Sequence, residues 1–85
     1  MGSKGQIMKI AITDHARKRV KDYGISEDLL KAAIQDPDNV AEGYGGRKIY
    51  QKKLNGYLLR IIVEEDKEIK RVITTYKARS ERYEV

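Results

Sequence analysis

The chain has no cysteine, tryptophan or phenylalanine, and its 85 residues include a single proline and a single histidine. The lack of cysteine excludes disulfide bonds and thiolate chemistry, and with one histidine it also excludes the common zinc patterns. No apolar run approaches the roughly 20 residues of a membrane-spanning helix. We therefore expect a protein of the reducing cytoplasm, without membrane association and without a metal or other cofactor.

Positive charge is in excess, with 18 Lys and Arg against 13 Asp and Glu, a net charge of +5. Such an excess favours anionic partners such as nucleic acid. However, charged residues make up 36% of the chain, and heat-adapted proteins are enriched in lysine and glutamate together. The charge alone therefore indicates either a nucleic-acid-binding protein or only a highly charged surface.

The length fits one small domain with one core. We expect residues 1–6 to be a disordered leader or tag and residues 7–85 to form the domain. Periodicity and capping residues predict a strand at 7–12, helices at 13–24 and 26–36, a short strand at 39–42, a hairpin at 47–63, an acidic turn at 64–68 and a strand at 69–76. So few elements predict an α+β fold with two N-terminal helices packed on a three- or four-stranded antiparallel sheet.

The hairpin is the most informative segment because its turn is Asn55-Gly56, which we expect to be a type I′ turn. Pairing outward from a two-residue turn places Leu54 opposite Tyr57 and Gln51 opposite Arg60. One face of the hairpin then carries the apolar residues that suit a core, Tyr50, Leu54, Tyr57, Leu59, Ile61 and Val63. The other face carries Arg47, Gln51, Lys53 and Arg60 among Ile49, Leu58 and Ile62. A polyanion fits this second face.

Several short motifs resemble those of an uncharacterised family of small bacterial and archaeal proteins. They are His15-Ala16-Arg17-Lys18-Arg19, Gly24-Ile25-Ser26, Asp36-Pro37, an Arg-Lys-x-Tyr strand at 47–50 and a Thr-x-Tyr strand at 74–76. That family resembles the BrnT toxins and, through them, the RelE/ParE-like superfamily. The resemblance covers nearly all of residues 10–83 and implies a RelE-like fold with metal-independent endoribonuclease activity. It also implies two partners, which are RNA, free or bound to the ribosome, and an antitoxin protein.

Metal-free RNA cleavage needs a base for the 2′-hydroxyl, cations for the phosphorane and an acid for the leaving oxygen. His15 is the default acid or base because imidazole is the side chain that ordinarily titrates near neutrality. Tyr76 or Lys53 could serve instead. Arg60 and Arg47 can clamp the phosphate through bidentate hydrogen bonds, and further RNA contacts are assigned to Arg19, Lys52, Arg79 and Arg82.

Each candidate also has a structural interpretation. His15 fits a half-buried place in the first helical turn, Tyr76 fits the core, and Lys53 and Arg60 fit an ordinary solvated strand face. The register of the second hairpin is not fixed by the sequence, so the face of Tyr76 stays open. The same scaffold suits two other functions, a non-catalytic nucleic-acid-binding or regulatory module and a protein-interaction domain. The sequence therefore leaves three functions open, with the toxin-type endoribonuclease preferred.

Overall fold

The computed structural model describes residues 9–79. The elements in chain order are β1 (Lys9–Ile12), α1 (Asp14–Asp22), α2 (Glu27–Gln35), β2 (Asn39–Glu42), a short 3₁₀ turn (Tyr44–Gly46), β3 (Lys48–Leu54), β4 (Tyr57–Asp66) and β5 (Ile69–Ala78). Residues 1–6, the predicted leader, lie outside the described residues, as does Arg82.

Both helices begin at the predicted caps. The Thr13 hydroxyl accepts a hydrogen bond from the backbone N–H of Ala16 at 3.1 Å, and the Ser26 hydroxyl accepts one from Leu29 at 3.0 Å. Each hydroxyl satisfies an N–H that has no partner inside the helix. The sequence allows either Thr13 or Asp14 as the cap of α1, and the structure has Thr13 in that position. Thr13 also donates to the carbonyl of Val72 at 2.9 Å, so this one side chain joins the start of α1 to β5.

The sheet has five strands in the order β1-β5-β4-β3-β2, and β1 runs parallel to β5. The expectation of three or four antiparallel strands is therefore wrong. The physical reason is that β1 pairs with a strand about 60 residues away, Lys9 lying beside Ile69. The α1–α2 segment carries the chain across one sheet face to β2 at the opposite edge, and the antiparallel strands β2 to β5 then bring it back beside β1. Alternation within β1 carries no information about such a distant partner.

The β3–β4 pairing has the predicted register, with Leu54 beside Tyr57, Gln51 beside Arg60 and Tyr50 beside Ile61. The prediction of a type I′ turn, in contrast, is wrong. Type I′ needs a positive φ at both central residues, and of Asn55 and Gly56 only Gly56, at φ 88°, has one. Glycine alone supplies the unusual conformation, and the two-residue loop still fixes the register.

The core lies between the helices and one face of the sheet, as the hairpin pattern predicted. Helix α1 packs on β5, and α2 packs on β3 and β4. Leu30 of α2 and Leu59, Ile61 and Val63 of β4 are fully or almost fully buried. The sequence pattern predicts that Leu29 and Leu30 are both buried; Leu30 is, whereas Leu29 is only half-buried against the core.

The β4–β5 hairpin is longer than predicted. Glu64 and Asp66 belong to β4, and the turn consists of Lys67 and Glu68. The register of this pair shifts at Ile62 and Val63, which marks a β-bulge. The acidic residues were assigned to a turn because charge, unlike alternation, gives no sign of where a strand ends.

Candidate functional site

The second face of the sheet, which we call the distal face, lies opposite the helices. Cross-strand partners share a face, so the registers assign Gln51, Arg60 and Tyr76 to one row across β3, β4 and β5. Thr75 of β5 points to the helix side, where its hydroxyl donates to the Arg60 carbonyl at 2.8 Å. Since Thr75 is completely buried, this hydrogen bond fixes the backbone of Arg60 from the helix side of the sheet. The face of Tyr76, open from sequence, is thus the distal face.

Arg60 and Tyr76 form the best-defined pair on the distal face. Nη1 of Arg60 donates to the Tyr76 hydroxyl oxygen at 2.8 Å, and the guanidinium carbon lies 5.6 Å from the centre of the Tyr76 ring. A guanidinium has donors and no acceptor. The phenol oxygen therefore accepts from Arg60, and the phenol proton is left to be donated to another group. Both side chains are half-buried, so the pair is partly shielded from water.

Lys53 flanks this row on the same face. It lies beside Leu58 in the register, diagonally across from Arg60, and its side chain is exposed. Its backbone N–H donates to the Asp38 carboxylate at 2.7 Å, which fixes the main chain of β3 and leaves the ammonium group to solvent. The structure therefore brings three of the four predicted catalytic residues, Lys53, Arg60 and Tyr76, onto one face.

His15 is separated from these three residues. It is exposed on α1, and α1 packs on the helix side of the sheet. The predicted RNA contact Arg19 lies on the same helix, with Nη1 3.9 Å from the Asp22 carboxylate and its guanidinium 5.4 Å from the ring centre of Tyr23. A whole sheet layer stands between the imidazole and Arg60, so the four predicted catalytic residues do not form one site.

The other predicted RNA contacts are divided between the faces. Arg47 lies beside the distal face, 3.6 Å from the Glu64 carboxylate, which is also 3.4 Å from Arg71. Lys52 shares the helix-side face with Leu59 by its register, and its ammonium donates to the Asp36 carbonyl at 2.9 Å. Lys52 thus has a structural contact with the α2–β2 loop. Arg79 is exposed just beyond the end of β5.

A second polar cluster, missed from sequence, lies on the helix side around Tyr50. Its hydroxyl donates a hydrogen bond to the Glu65 carboxylate, with Lys48 3.9 Å from the same carboxylate and Lys70 4.9 Å from the ring centre. Burial and, after it, the hydrogen bond and negative charge of Glu65 raise the pKa of Tyr50 above the usual range. Extending β4 by two residues would have revealed this pair, because Ile61, Val63 and Glu65 alternate onto one face.

Within residues 9–79, no three His, Asp or Glu side chains come together as a metal-binding group. In the same part of the chain, neither helix has the length and apolarity needed to cross a membrane.

The fold and site define an α+β domain with a five-stranded mixed sheet and a polar row on its distal face. A family model matches residues 12–77, most of the chain, and its description is a domain of unknown function, DUF4258. The chain belongs to this family. No curated protein and no solved structure gives a significant match to it.

Proposed function

We propose that this protein is a metal-independent endoribonuclease, the toxin of a toxin–antitoxin pair, and that it acts in the cytoplasm. RNA, free or on the ribosome, is the substrate, and the antitoxin is a protein that covers the distal face. The proposal rests on the resemblance of the sequence to BrnT and RelE/ParE-like toxins and on one structural observation. That observation is the Arg60–Tyr76 pair on a sheet face that neither helix covers.

The chemistry follows from the groups on this face. The RNA 2′-oxygen attacks the phosphorus, a 2′,3′-cyclic phosphate forms, and the bond to the 5′-oxygen breaks. Arg60 stabilises the phosphorane charge. Tyr76 gives its proton to the leaving 5′-oxygen, the 2′-hydroxyl proton passes to water, and Lys53 adds positive charge beside the phosphate. Strands β3 and β5 lie about 10 Å apart, two strand spacings, so the long side chains of Lys53 and Tyr76 can both reach a phosphate above Arg60.

A non-catalytic nucleic-acid-binding module is the second candidate. The position of His15 favours it, because the residue type best suited to proton transfer at neutral pH lies on the other side of the sheet. Both candidates place RNA on the distal face. They differ in whether the RNA is cut.

Cleavage of a single-stranded RNA in EDTA tests the proposal. We expect products ending in a 2′,3′-cyclic phosphate or a 3′-phosphate, and no cleavage where a 2′-deoxynucleotide replaces the attacked ribose. Arg60→Ala should slow cleavage by about 10²-fold or more, the effect of removing one transition-state donor. Arg17→Ala is the matched control, because Arg17 is an exposed arginine of α1 paired with Glu27 at 2.7 Å.

The result that contradicts the endoribonuclease is wild-type protein that binds RNA at micromolar concentration and leaves it intact. That outcome supports the binding module. If the protein neither binds nor cuts RNA, both functions are wrong, and the distal face has to be considered as a protein-binding surface.

A further inference from the structure

Tyr44 is the most exposed large apolar side chain among residues 9–79. It is 98% exposed, whereas Val40, the other large hydrophobic residue exposed in this range, is 42% exposed. The four other tyrosines of the same range are buried or half-buried, and each has a lysine or arginine 4.5–5.6 Å from its ring centre. The large area of an aromatic ring normally contributes to a core or an interface. An exposed ring on this surface therefore indicates a contact with a binding partner.

The backbone holds Tyr44 in a tight turn between β2 and β3. The Gly43 N–H donates to the Arg47 carbonyl at 2.7 Å, and the Arg47 N–H donates to the Tyr44 carbonyl at 3.3 Å. The two residues between them, Gly45 and Gly46, have φ of 66° and 82°, the positive values that a tight hairpin turn of type I′ needs. These contacts fix the backbone of Tyr44 relative to that of Arg47.

Positive charge lies next to the exposed ring. Arg47 lies beside the distal face and shares the Glu64 carboxylate with Arg71, so two guanidinium groups against one carboxylate leave an excess of one positive charge. The first and last Cα atoms of such a turn lie within about 7 Å of each other, which places the Tyr44 ring and the Arg47 side chain within reach of one stretch of ligand. An aromatic ring beside a positively charged surface is the arrangement that binds single-stranded nucleic acid.

We infer that Tyr44 stacks on an unpaired nucleobase of RNA bound along the distal face, while Arg47 contacts a phosphate next to that base. The base must be unpaired, because inside a double helix its faces are covered by neighbouring bases. Every base has a π-face, so the contact does not select a sequence. Ordering the ring has a small entropy cost, because tyrosine has only two side-chain torsions.

The inference rests on the proposed function in one respect, the placement of RNA on the distal face. It does not require that the RNA is cut.

A fluorescence titration of Tyr44→Trp tests the stacking directly. The chain has no tryptophan, so this variant has a single indole, which keeps a π-face at the same position. The ligand is a short single-stranded RNA oligonucleotide with fluorine in place of each 2′-hydroxyl, which removes the attacking oxygen and keeps the ligand intact. We expect quenching of the indole fluorescence by this oligonucleotide. An abasic oligonucleotide of equal length has the same phosphates and should bind without quenching.

Affinities of the side-chain variants give the magnitude. Tyr44→Ala should weaken binding of the fluorinated oligonucleotide by about 5- to 140-fold, the contribution of one stacked base. The slope of log affinity against log salt should stay the same, because stacking releases no counterions. Tyr44→Leu is the matched control for apolar bulk without a π-face and should lose most of the same affinity. Arg47→Ala should instead make the slope shallower by about one unit.

Tyr44→Ala should keep the urea midpoint of the wild type, because the ring is exposed. Equal affinity of Tyr44→Ala and wild type for the fluorinated oligonucleotide overturns the inference. An equal loss on the abasic oligonucleotide also overturns it, and so does binding by Tyr44→Leu that matches the wild type.

These measurements separate the inference from the proposed function. Cleavage of ordinary RNA together with unchanged affinity in Tyr44→Ala contradicts base stacking and leaves the endoribonuclease standing. Base-dependent quenching without cleavage of ordinary RNA supports base stacking and contradicts the endoribonuclease. If the wild type binds no RNA, both proposals are wrong, and the exposed ring has to be considered as a contact for a protein.

Discussion

Tyr50→Phe tests the buried polar cluster on the helix side, where the structure gives both a magnitude and a pH dependence. The change removes the hydroxyl that donates to Glu65 and keeps the ring, which is 5% exposed and packs in the core. A hydrogen bond to a charged group contributes about 1.5–3 kcal/mol. Because Glu65 keeps its contact with Lys48 at 3.9 Å, we expect the free energy of unfolding to fall by an amount near the lower end of this range, about 2 kcal/mol at pH 7.

The pH dependence follows from the raised pKa of Tyr50. In the unfolded chain tyrosine loses its proton near pH 10, about the ordinary pKa, whereas in the folded protein Tyr50 keeps it. Above about pH 10 the folded state then binds more protons than the unfolded state. The contribution of Tyr50 to the free energy of unfolding is therefore fully present below about pH 10 and falls by about 1.4 kcal/mol per pH unit above it. The advantage of the wild type over Tyr50→Phe should therefore disappear roughly one to two units above pH 10.

Urea unfolding of both proteins from pH 7 to pH 11.5 measures this difference. The remaining ionisable groups are the same in both proteins, so their contributions largely cancel in the comparison. If the curves of unfolding free energy against pH for the two proteins converge at high pH, the raised pKa of Tyr50 is supported. Parallel curves, with a constant difference at every pH, would show that the Tyr50 proton is not held by Glu65 and burial.

Two further predictions concern the distal face and the loop beside it. Glu64→Gln removes the carboxylate that Arg47 and Arg71 share. The variant should therefore bind single-stranded RNA more tightly than the wild type does. For the wild type, about four phosphate contacts give a slope of log affinity against log salt of roughly −3. The slope for the variant should be steeper by up to about one unit, and an unchanged slope contradicts the placement of RNA there. In Gly43→Ala the new Cβ would lie 2.9 Å from the Arg47 carbonyl oxygen. Urea unfolding should therefore show that overpacking lowers the free energy of unfolding by about 1–3 kcal/mol. An unchanged urea midpoint would show that the loop backbone moves to accommodate the methyl group without cost.

The local parts of the fold could be predicted from sequence. The two-residue Asn55-Gly56 loop fixed the β3–β4 register, because a one-residue slip would have turned the apolar set of Leu59 and Ile61 away from the helices. The cap at Ser26 was also predicted, and the cap of α1 was limited to Thr13 or Asp14, since capping depends on residues three positions apart. These features are decided within a few residues, where the sequence pattern is directly informative.

The long-range parts could not be predicted. The parallel pairing of β1 with β5 joins Lys9 to Ile69, and no local pattern specifies it. The face of Tyr76 depends on the β4–β5 register, which the bulge at Ile62 and Val63 shifts. His15 was grouped with Arg60 because sequence motifs do not show that a sheet separates them.

The candidate site was predicted in part for the same reason. Lys53 and Arg60 were placed on one face by the hairpin register, which the structure confirms. Tyr76 joins them through a strand whose register the sequence left open. Gln51 was placed on this face as well, but the burial of this residue beside Arg60 is visible only when all neighbours are in place.

The most direct test of the central claim, that the distal face is the catalytic face, is to compare Tyr76→Phe with His15→Gln in the RNA cleavage assay in EDTA. Tyr76→Phe keeps the ring beside Arg60 and removes the hydroxyl, so cleavage should fall by about 10²-fold or more, the typical contribution of a general acid. His15→Gln changes an exposed residue of α1 and should leave the rate unchanged. Full activity in Tyr76→Phe together with a loss in His15→Gln would contradict the account and place the chemistry on the helix side.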